Sequence, residues 1–169
     1  MEKNKKLAYI SIFTGLAVSL GYLLSPVPNV ELITTAIFLG GYLTDIFSGG
    51  VIGALSFFIY GYFNPLGSSP LPLLISQIIG GIIIGITGAL CKRFDKISSF
   101  FLAIIGFLVT SIYDIITSAA GFIFFPTKKT FIAYILAGLS FSLIHIISNT
   151  LIFGSIVFLT IKRLKRRFL

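Results

Sequence analysis

The sequence is poor in most of the residues that catalysis in water relies on. It holds one cysteine, one histidine, no tryptophan, and five acidic residues against thirteen lysines and arginines. A single cysteine excludes an intrachain disulfide. Cys91, beside Lys92, reads as a small apolar filler on the reducing side of a membrane. One His and one Cys far apart build no zinc site, and the scattered carboxylates suggest no paired acid–base centre. No Ser/His/Asp arrangement is signalled. The Gly-x-x-x-x-Gly-Lys-Ser/Thr loop is also missing, so this chain does not hydrolyse ATP by P-loop chemistry. The sequence therefore predicts no enzyme, no catalytic residue, no metal ligand and no cofactor.

What is abundant is apolar. Hydrophobic residues make up 56% and charged residues 11%, with a mean hydropathy of +1.06, far outside the soluble range. Eleven of the thirteen basic residues fall in three clusters: Lys3, Lys5 and Lys6; Lys92, Arg93 and Lys96; and Lys162, Arg163, Lys165, Arg166 and Arg167. Only Lys128 and Lys129 lie elsewhere. With six crossings the clusters share one side, so the positive-inside bias predicts cytoplasmic termini. The net charge of +8 then reflects topology and attraction to anionic headgroups of the bilayer, with no nucleic-acid partner.

Punctuation separates six apolar runs, at about 7–24, 32–47, 51–63, 73–90, 97–125 and 131–161. The first is too long for a secretory h-region and lacks a cleavage site, so it is expected to be a retained helix. Ser25-Pro26-Val27-Pro28-Asn29 ends it, Ser48-Gly49-Gly50 is a turn signal between runs two and three, and 64–72 is the clearest loop. Runs two and three are short for the 17–25 residues that a span requires. Local thinning of the bilayer favours six spans over a re-entrant hairpin. The expected fold is an all-α six-helix membrane bundle forming one domain over residues 1–169, without an internal repeat.

Small residues recur at helix-packing spacing: Ser11, Gly15 and Ser19, with Ala17 and Gly21, on the first run; then Gly49/Gly53 and Gly81/Gly85. The later pairs suit packing within the bundle, whereas the two stripes on the first run suit both internal packing and an external partner.

Few ionisable groups remain. Glu31 follows the outer Pro-Val-Pro-Asn segment, Asp45 ends the second run, and Asp114 and His145 lie inside the fifth and sixth. Intramembrane ionisable residues are functional candidates by default. Counted from Ile97, Asp114 lies about 25 Å up; counted from Phe131, His145 lies about 21 Å down. That count argues against direct pairing. His145 and Asn149 share a helical face, either packing together or contacting a ligand. Tyr113, Thr117 and Ser118 surround Asp114 with polar groups suited to a small ligand.

Pro28-Asn-Val-Glu-Leu32, Phe63-Asn-Pro-Leu-Gly67 and Pro72-Leu-Leu-Ile-Ser-Gln77 resemble strings in the S-components of energy-coupling factor (ECF) transporters, and the architecture of the whole chain is similar. The resemblance implies a prokaryotic cell-membrane subunit that captures a micronutrient outside the cell. It implies partners too: a transmembrane T-component and two cytoplasmic ATPases. It points to Asn29, Glu31, Asn64, Gln77, Tyr113 and Asp114 as substrate-binding residues. It also places docking on the first helix, where the family's Ala-x-x-x-Ala is replaced by Ser11/Gly15/Ser19 and Ala17/Gly21. The outer site offers two carboxylates and a lone pair of lysines, Lys128 and Lys129, with no arginine, which mildly disfavours polyanions such as phosphorylated vitamins. A cobalamin-like tetrapyrrole is the first expectation for the ligand and a riboflavin-like flavin the second. The alternative function is a self-contained carrier or channel with an Asp114/His145 proton path.

Overall fold

The computed structural model describes residues 3–125, 128 and 130–168; Lys129 lies outside them. Six helices run as α1 (Lys3–Leu24), α2 (Ile33–Leu43), α3 (Ile46–Tyr62), α4 (Leu71–Cys91), α5 (Ser99–Phe124) and α6 (Phe131–Ile152). α6 continues through a wide π turn (Phe153–Val157) into α7 (Phe158–Phe168). The all-helical class and the count of six rods agree with the apolar runs. α1, α4, α5 and the continuous rod Phe131–Arg166 are long and apolar enough to cross a membrane, while α2 and α3 are shorter. Phe47, Phe100, Ile115, Ile123, Ile132 and Phe141 stand exposed around the bundle, as lipid contact requires.

Ser48-Gly49-Gly50 is not a turn: α3 runs through it. The break falls at Thr44–Asp45, where Asp45 is extended (φ −143°, ψ 174°). Its Oδ1 accepts from the Ser48 backbone N–H at 2.9 Å. An aspartate N-cap starts a helix more strongly than paired glycines stop one. The glycines serve packing instead. A Cβ at Gly53 would collide with the Gly81 carbonyl, and one at Gly85 with that of Gly49. The small-residue spacing thus brings α3 and α4 backbone to backbone.

α2 is the innermost element, with nine of its eleven residues buried. A helix of about 16 Å is tolerated there because protein, not lipid, surrounds it. Its Ile37 and Phe38 meet Ile52, Ile84, Leu102 and Phe153 in the core, where Phe38 and Phe153 pack edge to face at 4.9 Å between centroids.

The short α2 decides where the preceding segment goes. Lys6 Nζ and Asp45 Oδ2 form an ion pair at 2.7 Å, so the start of α1 and the α2–α3 junction share one level, the basic end. From Lys6 to Leu24, α1 climbs about 27 Å; from Asp45 back to Ile33, α2 regains only about 18 Å. Residues 25–32 therefore drop about 9 Å back into the bundle.

The two stripes on α1 separate. Ser11, Gly15 and Ser19 are exposed, and a Cβ at Gly15 would meet nothing within 4 Å. Ala17 is fully buried, and a Cβ at Gly21 would lie 2.9 Å from the Tyr60 ring. Ala17 and Gly21 thus leave the expected docking face: close packing against α2 and α3 uses them internally.

Candidate functional site

Away from the basic end, the descending segment and α1 to α6 border a half-open cavity of about 360 Å³. Asn29, Glu31, Gln77, Tyr113 and Asp114 all line it, joined by Tyr60, Thr117 and His145. Nothing in the local sequence marks Tyr60, an ordinary aromatic of a short apolar helix.

Three glycines seat the walls. Tyr60 lies over Gly21, Tyr113 fills the space a Cβ would take at Gly80, and the Gln77 amide oxygen would come within 2.7 Å of a Cβ at Gly61. Tyr113 packs against Phe57 with 5.1 Å between centroids. Tyr22 stacks on Tyr60 at 5.3 Å. Large side chains thereby face one another across the cavity, in space that small residues on neighbouring helices leave open.

Asn29 adopts a left-handed conformation (φ 59°), which asparagine accepts more readily than most residues. Its carbonyl accepts from Ser148 Oγ at 3.0 Å, tying the segment to α6. Two residues on, Glu31 enters the interior. Its Oε2 accepts from the Thr34 backbone N–H at 2.8 Å, capping α2, where a negative charge also complements the helix dipole. Its Oε1 accepts from Asn149 Nδ2 at 3.0 Å and faces His145 Nε2 at 3.4 Å.

The other face of the histidine overturns the expectation that Asp114 and His145 stand apart. His145 Nδ1 donates to Asp114 Oδ1 at 2.8 Å. The two depths were counted from opposite ends. α5 is about 39 Å long, so a point near 25 Å from its start is about 14 Å below its far end. That lies within roughly one helical turn of His145, close enough for side chains to meet. The i, i+4 pair His145 and Asn149 converges on the shared partner Glu31, so both are joined to this site.

Asn64 is the one predicted binding residue that is not in the cavity lining. Its Oδ1 accepts from the Leu66 backbone N–H at 2.9 Å, organising the α3–α4 loop. The carboxylates of Glu31 and Asp114 bind opposite edges of one ring and diverge. Among the described residues, no group of three or more His, Cys, Asp or Glu is placed to hold a metal ion.

A protein-family model described as "ECF transporter, substrate-specific component" matches residues 5–157. The chain belongs to this family. It is a multi-pass membrane protein, the substrate-binding subunit of an ECF transporter and not itself an enzyme. Membership implies association with a T-component and ATPases. Comparison with curated proteins and with solved structures found no match. As an S-component, the chain needs a place to hold its substrate. The cavity just described combines a concave shape, aromatic walls and polar atoms, the features of small-ligand sites.

Proposed function

We propose that this S-component captures a vitamin-like nutrient in the cavity between residues 25–32, α4, α5 and α6. It would sit in a prokaryotic plasma membrane with the basic end cytoplasmic, so that the cavity faces outward. The positive-inside bias supports that orientation. Uptake is driven by a T-component and two ATPases, because this chain carries no nucleotide-hydrolysing loop. The exposed Ser11/Gly15/Ser19 stripe of α1 is the proposed docking face, where small residues permit close helix approach.

The observation that carries this reading is a set of orphaned polar atoms. Asp114 Oδ2, Gln77 Oε1 and Asn29 Nδ2 are buried without a hydrogen-bond partner, and all three residues line the same cavity. Unsatisfied buried polar groups cost about 1–3 kcal/mol each, and a ligand that pairs with them recovers part of that cost. The volume of about 360 Å³ is near the low end of the ~300–1,000 Å³ range of ligand pockets. This favours a nutrient of one to a few rings, nearer the riboflavin-like expectation than the bulkier tetrapyrrole. A proton path through Asp114 and His145 finds less support. Toward the basic end, Asn149 gives way to the apolar layer of Phe38, Phe153 and Val157.

The test is calorimetry on purified protein combined with uptake by proteoliposomes. Binding without partners, and uptake only when the T-component and ATPases are present, is the expected result. Uptake by the isolated chain would instead establish the self-contained carrier.

A further inference from the structure

From the charge balance of the cavity, we infer that the nutrient carries a cationic nitrogen, which Asp114 binds through the carboxylate oxygen that His145 leaves free. This rests on the cavity being the capture site and goes further by naming the chemistry that it selects.

Glu31 and Asp114 bring two carboxylates, and among the described residues no lysine or arginine lines the cavity. Among the described lining residues, His145 is the only group that can carry positive charge. With both ring nitrogens protonated it offsets one carboxylate, so two ionised carboxylates leave a net negative charge inside the bundle. Glu31 spends both oxygens on protein partners: Thr34, Asn149 and His145. Asp114 does not. Its Oδ1 takes the His145 bond, while Oδ2 is buried without a partner.

An uncompensated buried carboxylate oxygen is costly, and the strongest relief is a charged donor at hydrogen-bond distance. A protonated amine, an amidine or a quaternised heteroaromatic ring bearing an amino group supplies both charge and donor. The walls suit the rest of such a molecule. Tyr60, Tyr113 and Phe57 offer aromatic rings to a planar cation. Asn29 Nδ2, an unpartnered buried donor, provides for one acceptor on the same ligand. A carboxylate-bearing nutrient would instead bring a like charge to the Asp114 and Glu31 side chains, with no lysine or arginine among the described lining residues to receive it.

The experiment uses the full chain purified in detergent and probes of three charge classes, read by calorimetry. Thiamine and pyridoxamine carry net positive charge, riboflavin and pyridoxine are net neutral, and biotin and pantothenate are anionic. Pyridoxamine and pyridoxine differ at one substituent, an amine against a hydroxyl. The expected result is binding of at least one cationic probe, tighter than any neutral or anionic probe by roughly 10- to 100-fold, the worth of a charge-assisted hydrogen bond. Asp114→Asn should erase that preference. If it fails to fold, the wild-type ranking decides alone. A neutral or anionic probe binding at least as tightly as both cations overturns the inference and leaves nutrient capture standing. Binding of no probe from any class overturns both.

Discussion

Replacing Glu31 tests the feature on which the site depends, the descent of residues 25–32 into the bundle. Were that segment laid across the end of the helices, Glu31 would be a solvated loop residue, and its removal would change stability by no more than about 0.5 kcal/mol. In the structure its side chain is only 19% exposed and meets three groups on two helices: the Thr34 N–H, Asn149 Nδ2 and the His145 ring. Glu31→Ala removes the cap of α2, worth about 0.5–2 kcal/mol. It also leaves His145 and Asn149 facing a gap. Breaking a buried charged pair by deleting one partner costs about 3–5 kcal/mol, which includes the stranded partner groups, so the expected total lies in that range.

Glu31→Gln retains an oxygen for Thr34 or Asn149 but no charge for His145, and should cost about 1–3 kcal/mol. For a chain of this size the alanine variant should lower the melting temperature by on the order of 10 °C. The lone thiol supplies the assay. Cys91 is free and buried, so a thiol-reactive dye reports unfolding without engineering. An alanine variant melting within a degree or two of wild type would refute the descent and, with it, the cavity wall that Glu31 forms.

Other parts of the fold can be probed as directly. Gly85→Ala drives a Cβ into the Gly49 carbonyl and should cost more than the 1–3 kcal/mol typical of overpacking, whereas Gly15→Ala should be neutral or slightly stabilising, as paired thermal melts will show. Gly15→Leu should abolish partner-driven uptake at unchanged ligand affinity, while Ala17→Leu should destabilise the isolated subunit; equal loss of binding in Gly15→Leu would remove α1 as a docking face. Lys6, then the Ser48 N–H, holds the Asp45 carboxyl down to about 2 from an ordinary 3.8. Its contribution is thus present above about pH 4 and lost as the pH falls through 2. Asp45→Asn should cost under about 1 kcal/mol at pH 7, since both partners are some two-fifths exposed, with the deficit vanishing in melts below pH 2. A cysteine at Ser68 in a Cys91→Ala background should react with impermeant reagent from outside intact cells, and labelling from the cytoplasmic side alone would invert the proposed orientation.

The features legible in the sequence are those set by local spacing. Apolar runs bounded by Pro, Gly and charge mark the helices, because a bilayer penalises an exposed backbone wherever it occurs. The small-residue pairs of α3 and α4 were readable for the same reason, since i, i+4 glycines on one helix need a close neighbour. On α1 the spacing alone was ambiguous. Two stripes offset by two residues are equivalent along the chain, and only the Tyr60 ring, brought over from α3, marks Ala17 and Gly21 as the inner pair. The misplaced α2–α3 turn has a related cause. Glycine serves both as a breaker and as a contact surface, and the backbone of α4 selects the second role.

Depth was the harder quantity, and the site is a matter of depth. Glu31, Asp114 and His145 are separated by 83 and 31 positions along the chain and meet only if two elements depart from a uniform slab. One is α5, whose length of about 39 Å makes counts from its two ends disagree unless the whole helix is used. The other is α2. An apolar run too short to cross leaves two solutions, a thinner bilayer or a flanking segment that descends to meet it. The sequence held a sign of the second: Glu31 immediately precedes the apolar run that begins at Leu32, and acidic residues are favoured at a helix N-terminus. A cap must travel with its helix. If α2 begins about 9 Å below the end of α1, the carboxylate bound to its first turn is drawn in to the same depth, where the Thr34 N–H, the Asn149 amide and the His145 ring meet it.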